Sequence, residues 1–147
     1  MDTLVDSGVL IRLTLPGDPA YPEVRRAVRL LKSRGEKLIA LTQNIAEFWN
    51  VCTRPAAVRG GYGLSVKDTA RKLGLIENLV EIRPDSLAVF QEWKRLVVLH
   101  SVKGVQVHDA RLVAGMTVYG IATLLTFNGA DFKRYAGITI VRPLDVQ

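Results

Sequence analysis

Four acidic residues stand where an α/β protein could use them for chemistry: Asp6, Glu47, Asp109 and Asp131. Asp6 comes directly after the apolar run 3–5, and Asp131 follows the apolar run 122–125. Glu47 is placed in the first turn of a helix that follows the run 38–41, and Asp109 opens the helix before the run 122–125. Parallel sheets bind ligands at the carboxyl ends of their strands. The four carboxylates are therefore predicted to converge at one edge of one sheet.

Carboxylates gathered in this way would repel one another. Two like charges about 4 Å apart repel by about 4 kcal/mol at an effective dielectric constant near 20. Such a group either takes up protons, with raised pKa values, or binds cations. An oxygen-only ligand set selects hard ions such as Mg²⁺ or Mn²⁺. The chain has only two histidines and one cysteine, so no nitrogen- or sulfur-rich ligand set competes.

Each acidic residue also has a simpler explanation. Asp6 and Asp109 could cap helices and complement the helix dipole. Glu47 follows Asn44 by three residues, which is the spacing of a capping pair. Asp131 could be a turn residue. Their joint placement along the chain favours a common site.

The remaining pattern alternates strands with helices. Predicted strands cover 3–5, 38–41, 82–84, 122–125 and 138–141, and predicted helices cover about 9–13, 20–34, 44–53, 65–80, 86–98 and 108–119. Such alternation indicates parallel βαβ units. We expect an α/β fold, a three-layer α/β/α sandwich with a central, mostly parallel sheet, formed by one domain over residues 1–147.

The charge balance suggests a polyanionic partner. The chain has 20 Lys and Arg against 14 Asp and Glu, for a net charge of +6. If four acids share one site, 20 basic residues face 10 acidic residues elsewhere. An acidic site in a basic surface fits nucleic acid binding, although a basic surface with no such role explains the charge equally well.

The sequence also carries indications of location. Cys52 has no partner for a disulfide and lies among apolar neighbours, so we expect a buried thiol in a reducing compartment. Asp2 stands where a signal peptide would have its basic region, and no apolar run is long enough to cross a bilayer. We therefore expect a cytoplasmic protein with no membrane association.

Four segments of the chain resemble the acidic motifs of PIN domains, and most of all those of the VapC-type ribonuclease toxins: Val5–Leu10, Asn44–Phe48, Val107–Ala114 and Leu125–Phe132. The resemblance spans nearly the whole chain in the right order and spacing. It implies a PIN-like α/β/α fold and a Mg²⁺- or Mn²⁺-dependent endoribonuclease. It also implies a homodimer and an antitoxin protein that blocks the site.

The resemblance assigns roles to individual residues. Asp6, Glu47 and Asp109 match the metal ligands, and Ser7 and Thr126 match polar positions that orient waters or carboxylates.

Two positions depart from the usual motifs. Gly8 replaces an asparagine, and Asn128 stands at the fourth acidic position with Asp131 just after it. Either Asp131 reaches the metal, or Asn128 binds it as a neutral ligand or through water. With one charge fewer, we expect one strongly and one weakly bound ion.

The implied reaction is hydrolysis of an RNA phosphodiester by a metal-activated water. Candidate phosphate contacts are Arg54, Arg59, Arg111 and Lys133, although each could equally be a surface base. His108 beside Asp109 is a weaker candidate for a general base, because the metal already activates water.

Two other functional classes compete with this interpretation. One is a catalytically silent PIN fold that acts as a binding or regulatory module, which the departures at Gly8 and Asn128 leave open. The other is an unrelated phosphoryl-transfer or receiver-like α/β protein that uses Asp6. That class would need a second acid beside Asp6 or a phosphate-binding lysine after a strand, and no P-loop sequence is present.

Overall fold

The computed structural model describes all residues from 1 to 147 and contains five strands and six α-helices. In chain order these are β1 (Asp2–Val5), α1 (Ser7–Leu13), α2 (Tyr21–Ser33), β2 (Lys37–Leu41), α3 (Thr42–Thr53), α4 (Val66–Glu77), β3 (Glu81–Arg83), α5 (Leu87–Leu99), α6 (Gln106–Tyr119), β4 (Thr123–Leu125) and β5 (Thr139–Val141). Two short 3-10 helices cover Gly129–Phe132 and Pro143–Asp145.

The sheet has the order β3-β2-β1-β4-β5, and every pair of neighbouring strands is parallel. The chain moves outward from β1 to β3, returns across the sheet through α5 and α6, and enters β4 on the other side of β1. The strand order therefore reverses between β1 and β4. Open α/β sheets bind ligands in the crevice beyond the strand ends at such a reversal.

Alternate side chains of the strands point into two separate cores. Val5, Ala40 and Leu125 pack against α1, α2, α3 and α4, whereas Leu4 and Leu124 pack against α5 and α6. Strands buried on both faces carry continuous apolar runs, as the sequence of β1 and β2 does. The predicted three-layer α/β/α sandwich is confirmed, and its sheet is fully parallel.

Gly115 of α6 faces Leu41 at the end of β2. A methyl group at position 115 would collide with a terminal methyl of Leu41, so a larger residue there would require the Leu41 side chain to shift. The helix ends at Gly120, which adopts a left-handed conformation with a φ of 67°.

Two helix starts differ from the prediction. Helix α3 begins at Thr42 and not near Asn44, because the Asn44 side chain accepts a hydrogen bond of 2.9 Å from the backbone N–H of Leu41 and so caps an earlier turn. Helix α6 begins at Gln106 and not at His108. Glu47 consequently lies in the second turn of α3, and Asp109 is the fourth residue of α6.

The Ser65 and Ser86 side chains cap α4 and α5. Cys52, on α3, is fully buried in the core, as predicted. None of the helices has both the length and the apolar character that a bilayer crossing requires.

Candidate active site

Asp6 stands at the centre of the carboxyl edge of the sheet, where β1 ends. Its backbone N–H donates to the carbonyl of Leu125 at 3.0 Å, so the ends of β1 and β4 are tied together at this residue. Asp6 is only 8% exposed. One carboxylate oxygen accepts from the backbone N–H of Ser7 at 2.8 Å, and the other accepts from the Thr126 hydroxyl at 2.6 Å.

These contacts explain how a buried carboxylate is tolerated. Burial raises the pKa of Asp6, the hydrogen bonds from Thr126 and Ser7 lower it, and the charge of Glu47 raises it. The balance leaves the pKa of Asp6 above its ordinary value. The helix-cap explanation of Asp6 is correct but incomplete, since Ser7 uses only one of its two oxygens.

Thr126 is fully buried and holds two segments of the site. Its hydroxyl oxygen donates to Asp6 and accepts a hydrogen bond of 3.0 Å from the backbone N–H of Asn128. This single hydroxyl therefore fixes the Asp6 carboxylate relative to the loop that follows β4.

Glu47 reaches the same edge from α3. One of its carboxylate oxygens accepts a hydrogen bond of 2.9 Å from the Ser7 hydroxyl, which joins α1 to α3. The other accepts one of 3.2 Å from the Gln43 side chain. The predicted capping pair of Asn44 and Glu47 is wrong, because Asn44 bonds to Leu41 and leaves Glu47 free for the site.

Asp109 approaches from the opposite layer, on α6. Burial raises its pKa first of all, and the charges of Asp131, Asp6 and Glu47 raise it further, while His108 lowers it. The resulting pKa is about 6, against an ordinary value of 3.8. Asp109 is not the cap of α6, since it lies inside the first turns of the helix.

The four acids are thus near enough for the charges of three of them to raise the pKa of Asp109. They do not form a closed metal site as the side chains stand, because no three His, Cys, Asp or Glu side chains are arranged to share one ion. The donor chemistry nevertheless fits Mg²⁺ or Mn²⁺, since every donor is an oxygen and the like charges raise the pKa of Asp109.

The two candidates for the fourth acidic position, Asp131 and Asn128, differ in their relation to Asp109. Asp131 lies in the 3-10 helix Gly129–Phe132, and its charge is the largest electrostatic contribution to the raised pKa of Asp109. The Asn128 side chain makes no hydrogen bond and is exposed; only its backbone N–H is used, by Thr126.

The predicted phosphate contacts divide into two groups. The side chain of Arg111 forms an ion pair with Asp85, and Lys133 is exposed just after Asp131. Arg54 donates a hydrogen bond to the carbonyl of Arg59 at the far end of α3, seven residues and hence about 10 Å of helix beyond Glu47. Arg54 and Arg59 are therefore poorly placed for the site itself.

Gln43 was missed by the sequence analysis. Its amide donates both to Glu47 and, at 2.8 Å, to the backbone carbonyl of His108, so it links α3 to the start of α6 beside Asp109. The only sequence signal was its position one helical turn before Glu47. The exposed His108 contributes this carbonyl, and its side chain makes no hydrogen bond.

Solved structures with the same fold give a comparison. The chain superimposes on VapBC2 from Rickettsia felis bound to a promoter DNA fragment with a TM-score of 0.70, at 14% identity over 97% of this chain and 98% of the other. VapC20 from Mycobacterium tuberculosis, a sarcin–ricin loop cleaving toxin, gives 0.70 at 20% identity over 96% and 99%. A toxin–antitoxin complex from Klebsiella pneumoniae gives 0.65 at 18% identity over 96% and 97%.

No family model matches the chain, and no curated protein matches it in sequence. At these identities the superpositions establish the fold. The chain has the PIN-like fold of the VapC structures, as its four motifs predicted.

Proposed function

We propose that this chain is a Mg²⁺- or Mn²⁺-dependent endoribonuclease that hydrolyses RNA phosphodiesters. The observation that carries the proposal is the meeting of Asp6, Glu47 and Asp109 from three distant segments at the reversal of strand order, with the pKa of Asp109 raised to about 6. Like charges held close together disfavour one another's ionised forms, and a bound cation would remove that cost. The VapC20 structure, with the same fold, is that of a sarcin–ricin loop cleaving toxin.

In this proposal Asp6, Glu47 and Asp109 hold the ion, with Asp131 as the fourth acid and Asn128 as its alternative. The bound ion supplies a Lewis acid that lowers the pKa of the attacking water and draws the phosphate to an acidic site. Thr126 and Ser7 keep the carboxylates of Asp6 and Glu47 oriented. Gln43 maintains the spacing between Glu47 and the start of α6.

We also propose that the chain is the toxin of a toxin–antitoxin pair and acts in the cytoplasm, where RNA is available. Two of the superimposed structures are complexes of this kind. Large apolar side chains are exposed on and beside α5: Leu87, Phe90, Val98, Leu99 and Val105. Exposed apolar groups in this number support a protein partner, either an antitoxin or a second copy of the chain.

The direct test is cleavage of a fluorescently labelled RNA by the purified chain in Mg²⁺, in Mn²⁺ and in EDTA. We expect cleavage with either ion and none in EDTA. Expression of the chain alone should slow growth, and expression of Asp6→Asn at the same level should not. Harmless expression of the folded wild-type chain would contradict the toxin proposal.

The competing interpretation is a catalytically silent binding module. The departures at Gly8 and Asn128 leave that interpretation open, and the effect of the Asp131 charge on the pKa of Asp109 supports a fourth carboxylate at the site. A silent module would bind RNA or protein without cleaving RNA in either metal, so the cleavage assay separates the two functions.

A further inference from the structure

Arg12 is held at the rim of the carboxylate site by contacts from two directions. On α1 its Nη1 donates a hydrogen bond of 2.9 Å to the backbone carbonyl of Gly8. Its guanidinium carbon lies 4.7 Å from the centre of the Phe127 ring, which is the geometry of a cation–π contact. These two contacts restrain the position of the Arg12 guanidinium.

Both of these contacts adjoin the residues that hold Asp6. Gly8 directly follows Ser7, and Phe127 directly follows Thr126. The guanidinium of Arg12 therefore contacts the residue that follows each of the two side chains or backbone groups that hydrogen-bond to the Asp6 carboxylate.

Glycine at position 8 makes room for this arrangement. A Cβ atom at Gly8 would lie 3.3 Å from Nη1 of Arg12, which is closer than most such contacts. A larger side chain would press on the guanidinium. The departure at Gly8 thus coincides with a basic group in the space beside it.

The guanidinium retains hydrogen-bonding capacity. Of the five N–H groups of an arginine, only one is used in a hydrogen bond here. The Asp18 carboxylate is 3.8 Å from Nε, which is an ion-pair distance but too long for a hydrogen bond. The side chain is 34% exposed, so a ligand can reach the remaining donors.

We propose that Arg12 binds a backbone phosphate of the RNA next to the one that is cleaved, with Gly8 and Phe127 holding its guanidinium ready for that contact. This proposal rests on the proposed ribonuclease function. A planar guanidinium pairs with two phosphate oxygens at once, and its restraint reduces the entropy lost on binding. Arg12 thereby supplies a positive charge beside a site whose four acids would otherwise repel the RNA backbone.

The test measures RNA binding without cleavage. In the Asp6→Asn background, Arg12→Ala is compared with Arg29→Ala, which removes an exposed arginine from α2. We expect Arg12→Ala to raise the Kd for a single-stranded RNA about tenfold. It should also reduce the slope of log Kd against log salt concentration by the amount expected for about one lost phosphate contact. Arg29→Ala should change both quantities less, and Arg12→Lys should restore part of the affinity.

A double-mutant cycle tests the part played by Gly8. Gly8→Leu should weaken RNA binding when Arg12 is present and should have little further effect in Arg12→Ala. In the active chain, Arg12→Ala should raise KM more than it lowers kcat. A merely structural role would instead lower Tm and leave the Kd and its salt dependence unchanged, and that result would overturn the proposal.

The two proposals fail in different ways. A wild-type chain that does not cleave RNA overturns the proposed function. Equal RNA affinity with and without Arg12 in the Asp6→Asn background overturns the proposal for Arg12 alone.

Discussion

Asp6 and Asp109 belong to the same site but are held in opposite ways. Asp6 is enclosed at the end of β1, and both of its oxygens accept hydrogen bonds. Asp109 is half-buried on α6, and its carboxylate accepts no hydrogen bond from the protein. Burial raises the pKa of both groups, but only Asp6 has donors that offset the effect.

This difference indicates that the two parts of the site have different roles. The part around Asp6 is built by the fold and stays oriented through Ser7 and Thr126. The part around Asp109 has excess negative charge that the protein does not neutralise. A divalent cation between the two parts would neutralise that charge, and this is the physical basis of the proposed metal dependence.

The largest expected effect comes from removing the charge of either Asp6 or Asp109. Asp6→Asn and Asp109→Asn should each lower Mg²⁺-dependent RNA cleavage by more than about 100-fold, because removal of groups that only support metal ligands already costs about 10–100-fold. Neither variant should lose its fold, since each removes a charge that burial disfavours. Cleavage rates and thermal unfolding measure the two quantities. Undiminished cleavage would contradict the assignment of these residues.

Removing the support of Asp6 should have the next largest effect. Thr126→Val preserves the shape of a buried side chain but leaves one carboxylate oxygen of Asp6 and the backbone N–H of Asn128 without a partner. We expect cleavage to fall about 10–100-fold. The free energy of unfolding should fall by about 1–3 kcal/mol. Thr126→Ser keeps the hydroxyl and is the control; equal losses in both variants would show that the hydroxyl is not what matters.

A smaller effect should separate the two candidates for the fourth acidic position. Asp131→Asn removes the charge that raises the pKa of Asp109 more than any other charge does. It should lower cleavage about tenfold, at the weak end of the range for groups that support metal ligands. Asn128→Ala should change cleavage little, because its side chain is exposed and makes no hydrogen bond. The dependence of the rate on Mg²⁺ concentration measures both variants. The reverse order of effects would assign the position to Asn128.

The smallest effect concerns stability and pH in the absence of metal. Asp109 binds a proton more readily in the folded chain, where its pKa is about 6, than in the unfolded chain, where it is near 3.8. Its contribution therefore lowers stability as pH rises from about 4 to about 6, and the loss is complete above pH 6. In EDTA, Tm should rise when pH is lowered through this window, and the rise should be smaller in Asp109→Asn. An equal rise in both proteins would contradict the raised pKa.

The sequence could predict those parts of the fold that show up as runs or regular spacings of apolar residues. The strands β1, β2 and β4 were visible as short apolar runs, and the carboxyl-edge position of Asp6 followed from its place directly after β1. The alternation of strands with helices was sufficient for the parallel sheet. These features depend on residues close together in the chain.

The features that could not be predicted depend on contacts between distant segments. The bond of Gln43 to the carbonyl of His108 and the contact of Arg12 with Phe127 each join residues that are far apart in the chain. The start of α6 at Gln106 was hidden because polar Gln106 and exposed Val105 carry no helical pattern. Side-chain directions at the site likewise depend on packing that no spacing in the sequence records.

The central claim is that carboxylates from the two differently built parts of the site bind one divalent cation. Anomalous diffraction from a crystal soaked in Mn²⁺ tests this claim most directly. We predict a peak between Asp6 and Asp109 that is absent from Asp109→Asn crystals. A fully soaked wild-type crystal with no peak there would contradict the proposed metal site.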